Sequence, residues 1–189
     1  MSRYIGNLGT DVYGISADEA RVAHLQLVAA QTVAANADGL LDGKVLGTGA
    51  TTVTTFLAAM PYARNITIVA SDAQTGVAVI NGTNLKGDVI TETITFDGTT
   101  PVAGAKAFKT VTSIVLPIKA GSENVDIGWG DVLGLPFMLT VRPLLWATDD
   151  GAIEGTAPTV VVDADELEKN TIDLDTAMDG SVIDLYFVL

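Results

Sequence analysis

The sequence predicts a mainly β fold, a single β-sandwich or jelly-roll-like domain. Three observations carry this. Short runs of alternating apolar and polar residues recur along the chain, separated by turns rich in Gly, Asp and Pro. Those runs are rich in Val, Ile and Thr, whose branched side chains suit a pleated surface. No convincing repeat and no linker divides the chain. The expected organisation is an extended N-terminal arm over residues 1–15 and one β-rich domain over residues 16–189, with one short helix.

The arm, MSRYIGNLGTDVYGI, has three glycines and no clear period. Tyr4, Ile5, Leu8, Val12 and Tyr13 are too few and too irregularly spaced for a core of their own, so they read as interaction surface. Ser16 and Glu19 have capping-box spacing, which predicts a short helix from Ser16; HLQLVAAQTVAA also alternates well enough for a strand. ANADGLLDGKVLGTGATT, with Asp-Gly twice, reads as turn and loop.

From there the texture is β. NITIVAS puts Ile66 and Ile68 on one face, and GVAVINGTN does the same for Val77 and Val79, ending on an Asn81-Gly82 turn. The stretch at 90–117 reads as two strands about a polar turn. Ile90, Ile94 and Phe96 form one row and Thr91, Thr93 and Thr95 the other. Glu92 interrupts the apolar row, so either the row faces a subunit boundary or Glu92 has a partner. Asp97-Gly98 breaks the strand, and Pro101 and Gly104 hold the loop open. Phe108, Val111 and Ile114 are three apart, which predicts a bulge. Val125, Ile127 and Trp129 align on one face, and GLPFMLTVRPLLWA, with two prolines, reads as an edge or bent strand. TAPTVVVDADE, NTIDLDTAM and SVIDLYFVL complete the strands, the last as core through Val182, Ile183, Leu185, Phe187 and Leu189.

Composition narrows the function. The net charge is −13, from 23 acidic and 10 basic side chains. Such a surface repels phosphate backbones and anionic headgroups, so neither nucleic acid nor membrane is an expected partner. MSRYIGNLGT lacks the basic start and apolar run of a secretory signal, and no segment approaches the roughly 20 apolar residues of a membrane helix. Yet 48% of residues are hydrophobic and 17% charged, against about 25% charged in an ordinary soluble chain. A chain so short of charge hides apolar surface, and burial against neighbouring subunits explains this better than a mild-surfaced monomer.

Chemistry is sparse. With no cysteine there is no disulfide framework or thiolate site. His24 alone cannot build a multi-histidine metal site and reads as a surface or packed side chain. Gly128, Gly130 and Gly134 have one residue too many for a dinucleotide fingerprint, and GTGATT lacks the lysine of a phosphate loop, so both read as glycine-dependent turns. DADE at 163–166 and DLD at 173–175 offer clustered oxygens without calcium-loop spacing, and read as a solvated acidic face. Trp129 and Trp146 could stack on sugars, but in a chain with 6% aromatic residues they are more simply core or interface anchors. No enzyme, cofactor or metal is expected.

The stretches ARNITIV (63–69), VINGTNLKGDVITETITF (79–96), AKAFKTVTSIVLP (105–117) and VDIGWGDVLGLPFML (125–139) resemble, as a set, small structural proteins of tailed bacteriophages. The resemblance covers roughly residues 60–140 and is one of strands and turns. It implies a non-enzymatic virion component, assembled in the host cytoplasm, often one that decorates or stabilises the capsid beside the major capsid protein. The composition and the closed symmetry usual for homo-oligomers make a homotrimer the expected assembly. The alternatives are a tail, collar or neck component, or a carbohydrate-binding or hydrolytic β-sandwich. The expected interface residues are Tyr4, Ile5, Leu8, Val12, Tyr13, Glu92, Trp129 and Trp146.

Overall fold

The computed structural model describes residues 22–139 and 144–188. In chain order the strands are β1 (Val22–Leu27), β2 (Asn36–Val45), β3 (Thr51–Val53), β4 (Arg64–Ala70), β5 (Val77–Thr83), β6 (Val89–Thr95), β7 (Val102–Phe108), β8 (Thr110–Leu116), β9 (Asn124–Gly134), β10 (Leu144–Asp149), β11 (Ala152–Ile153), β12 (Thr159–Val161), β13 (Thr171–Asp173) and β14 (Ile183–Val188). The one helical element among the described residues is a 3-10 turn at Leu167–Lys169. The mainly β expectation holds, and the packed sheets are those of a sandwich.

Three sheets form, with strand orders β1-β14-β10-β11, β12-β13-β9-β4-β7 and β3-β8-β5-β6. β2 joins the second sheet on β9. Trp129 pairs with both Asn36 and Ile66, and Leu133 with both Arg64 and Ile172, so β2 and β13 share one edge of β9 while β4 holds the other. The sheets enclose two cores. Ile66, Ile68, Val125, Ile127 and Trp129 meet Ile80, Ile94 and Ile114 in the first. Leu27, Ala147, Ile183, Leu185 and Phe187 meet Leu133, Val160 and Ile172 in the second. β9 serves both because it is long enough, at 11 residues, to leave one and enter the other.

Alternation was the reliable signal. Ile90, Ile94 and Phe96 are buried while Thr91, Thr93 and Thr95 face out, and Val125, Ile127 and Trp129 point inward together. Strands also stand at 159–161, 171–173 and 183–188 as expected, with Ile183, Leu185 and Phe187 buried and Val182 half-buried. Leu189, the arm over 1–15 and residues 16–21 lie outside the described residues.

Several readings change. His24 sits on a strand, because pairing with β14 puts Leu27 in a core and overrides local helix propensity. The Asp-Gly-rich stretch is mostly β2, whose register shifts twice, between Asn36 and Leu41 and between Leu41 and Lys44. Its glycines serve packing and backbone shape: a Cβ on Gly39 would lie 2.4 Å from the Trp129 ring, and Gly43 has φ +55°. Gly128, Gly130 and Gly134 lie within β9, not in a turn. Asn81-Gly82 also lies inside a strand; Val77 and Val79 share a face of β5 as expected, and the row that enters the core is Ala78 and Ile80. The turn comes later, where the Asn84 side-chain oxygen accepts from the N–H groups of Lys86 and Asp88. Gly104 belongs to β7, so residues 90–117 make three strands, and Lys109 alone separates β7 from β8 in a different sheet. The expected bulge is present. Asn81 pairs Ser113 and Gly82 pairs Val111, leaving Thr112 as the extra residue. β10 is an internal strand, since β11 folds back on it through Asp150-Gly151, both at positive φ as a two-residue hairpin requires.

Candidate functional site

Of the expected interface residues, Tyr4, Ile5, Leu8, Val12 and Tyr13 lie outside the described residues. The other three are not brought together. Trp129 is buried in the first core, its indole N–H donating to the Ala34 carbonyl at 3.2 Å. Glu92 has a partner: its Oε1 accepts from the N–H groups of Ala105 at 2.6 Å and Lys106 at 3.2 Å, which fastens β6 to β7. Gly104 leaves room for it, since a Cβ there would lie 2.4 Å from Oε2.

Burial pushes the Glu92 carboxyl up, against the pull of the two backbone amides. A carboxyl raised in the folded state contributes stability that is fully present below its unfolded value and lost as pH rises through its folded one. Glu92→Gln cannot ionise and should flatten that part of the pH–stability curve while keeping an acceptor oxygen. Glu92→Ala should cost about 1–3 kcal/mol by leaving both amides without their carboxylate. Urea midpoints of the three proteins, from below the glutamate range to neutral pH, check this; an unchanged slope in Glu92→Gln refutes it.

The acidic run at 163–166 is bound up within the fold. Asp163 Oδ1 accepts from the N–H groups of Asp165 and Glu166, both at 2.8 Å, which holds its carboxyl below the usual range. Glu166 and Glu168 receive Lys106 Nζ at 2.7 and 3.1 Å. Buried Asn170 ties the segment down, accepting from the N–H groups of Leu139 and Asp163 and donating to the carbonyls of Asp163 and Glu166. These residues brace the 3-10 turn against β7. Burial, then the charge of Asp131, pushes the Asp173 carboxyl up. No group of three or more His, Cys, Asp or Glu is placed to hold a metal among the described residues.

Two features escaped the sequence reading. Arg64, wholly buried on β4, donates to the Val33 carbonyl at 2.5 Å and to Asp131 at 3.0 Å, and burial lowers its pKa. Its signal was a charge opening the apolar run ARNITIV. The second is an aromatic stack on the outer face of the first sheet. His24 lies on Tyr186 with centroids 4.5 Å apart and planes 4° off parallel, and Trp146 lies on the other side of Tyr186 at 4.7 Å. Cross-strand pairing builds it, since both His24 and Trp146 sit opposite Tyr186. Asp184, one step along, receives His24 Nε2 at 2.6 Å and Gln26 Nε2 at 2.9 Å.

Trp146 is the one tryptophan that reaches the surface, at 44% exposure. Beside it a cleft of about 310 Å³ is lined by Leu144, Leu145, Ile153 and Pro158. A larger cleft of about 440 Å³ is lined by Leu40, Phe56, Leu57, Met60 and Val111. Tyr186 has a ring on each side, so neither of its faces is offered to a sugar. What the stack and clefts provide is apolar and stacking contact suited to anchoring a partner. Comparison with family models, with curated proteins and with solved structures finds no match to this chain.

Proposed function

We propose that this chain is a non-enzymatic virion structural protein, a capsid decoration or stabilising subunit that associates with copies of itself and with the major capsid protein. The observation that carries the reading is uncovered apolar surface on an otherwise self-satisfied β scaffold. Val45, Leu57, Val89, Ile118 and Ile153 are 58–84% exposed, and Leu57 and Ile153 line the two clefts. The polar side chains that might do chemistry are instead engaged in bracing loops and strand edges. The acidity of the chain supports protein neighbours over nucleic acid. The resemblance of roughly residues 60–140 to phage structural proteins supports a β-rich assembly subunit of a virion.

Gold label against the protein should decorate the heads of intact particles. Label confined to the neck or tail would move the subunit there, and purified particles without label would end the virion reading. The chain lacking residues 1–13 should stay folded by circular dichroism and bind particles poorly, because it loses five large apolar side chains that are too few and too irregularly spaced for a core of their own. Normal particle binding by that truncation would remove the arm from the interface.

A further inference from the structure

Most strand edges among the described residues are short, irregular or covered. β3 and β12 have three residues each and β11 two. β6 and β7 meet through Glu92, whose carboxylate takes the amide hydrogens that β7 would offer a newcomer. β2 is broken by two register shifts and carries Asp38, Asp42 and Lys44. These are the usual means of keeping an edge from pairing with another chain. β1 has none of them. It makes six consecutive pairs with β14 without a shift, its sequence VAHLQL has no acidic residue, lysine, arginine or proline, and its other side meets no strand among the described residues.

Among the described residues nothing continues the sheet beyond β1. Ala23 and Leu25 point toward the second core with Leu27, but only Leu27 is fully buried and the other two are half-covered. On the outer face, Val22 and Val28 are 53% and 50% exposed.

We infer that β1 pairs antiparallel with β1 of a second copy across a two-fold axis, with Leu25 opposite the partner's Leu25. Directly opposed residues in an antiparallel pair share a face, so a two-fold must centre on one residue. Centring on His24 would set Val22 against the partner's Gln26 and His24 against the partner's His24, leaving the valines of the outer face unpaired with each other. Centring on Leu25 sets Val22 against the partner's Val28 and His24 against the partner's Gln26 on the outer face. On the inner face it sets Ala23 against the partner's Leu27. Every exposed or half-buried apolar side chain of the strand is then covered. In a chain of charge −13, the described carboxylate on the strand beside β1 is Asp184, already held by His24 and Gln26 of its own subunit. The two four-stranded sheets become one of eight. The inference deepens the assembly reading by naming a contact surface, with a two-fold seam where composition suggested a trimer.

The chain has no cysteine, so a single introduced one reports cleanly. Opposed Cβ atoms at the axis lie about 4.5–5.5 Å apart, within reach of a disulfide or a short bis-maleimide. Full-length Leu25→Cys should form mostly covalent dimer at micromolar concentration. Val161→Cys, on the exposed edge strand β12, should not. Absence of a Leu25→Cys dimer, or equal yield from both proteins, would overturn the seam and assign the edge to another occupant, such as the chain's own N-terminal residues. Leu25→Lys, whose stem can lie along the open edge of a lone subunit, should sediment as a folded 19.6 kDa monomer. A Leu25→Lys dimer would equally overturn the seam; should that variant fail to fold, the crosslink decides. Particle labelling judges the virion reading separately, since heads can be decorated whether or not this seam exists.

Discussion

A chain lacking residues 182–189 will not fold cooperatively. β14 is the middle of its sheet, laddered to β1 on one side and to β10 on the other. Ile183, Leu185 and Phe187 are each 0% exposed. Burying such side chains is worth roughly 1.5–3 kcal/mol apiece, so together they supply about 4.5–9 kcal/mol, against a typical whole-protein stability of about 5–15 kcal/mol. The deletion also removes the one described ladder partner of β1 and leaves β10 paired only with the two residues of β11. Near-ultraviolet circular dichroism and urea unfolding should show loss of fixed aromatic signals and of a sigmoidal transition. A truncated protein that unfolds with the wild-type midpoint would show that the second core does not depend on this strand.

Gly128→Ala should destabilise by more than about 3 kcal/mol, beyond the 1–3 kcal/mol of ordinary overpacking. A Cβ at Gly128 would sit 1.8 Å from the Asn36 carbonyl oxygen and 2.7 Å from the Ala37 carbonyl carbon. Those atoms are backbone of β2, so no side-chain rotation relieves the contact. β2 would have to lift off β9, taking Leu40 and Leu41 out of the first core. Gly49→Ala, whose new Cβ meets nothing within 4 Å, is the control. Equal thermal midpoints for the two variants would mean that β2 is not held against β9 as described.

Strands that bury one face declared themselves in the sequence. Ile66 and Ile68, or Ile90, Ile94 and Phe96, alternate because a pleated strand turns every second side chain to the core. β2 did not, because its glycines look like turn chemistry when Gly39 serves close packing beneath Trp129 and Gly43 serves a positive φ within the strand. Gly82 misled in the same way: a Cβ there would lie 1.9 Å from the Thr110 carbonyl oxygen, a constraint set by a strand 28 residues further on. Glu92 was flagged correctly as needing an explanation, but whether by a neighbour or an internal partner depended on where Ala105 and Lys106 would lie. The aromatic stack was beyond reach for a related reason. His24, Trp146 and Tyr186 have no local pattern in common, and only the pairing of β14, the last described strand, with β10 and with β1, the first, makes them neighbours.

That pairing gives the fold a clock. About 160 residues separate His24 from its hydrogen-bond partner Asp184. Closing so long a loop is not prohibitive, because the entropic cost grows only logarithmically with length. The delay comes from synthesis. The first core draws on residues 40–129 and is complete in sequence once Trp129 has been made. β14 ends at Val188, so at about 5–20 residues per second β1 waits roughly another 3–12 s for its partner strand. Throughout that interval the chain carries a finished first core and, at its leading end, a strand with both edges open.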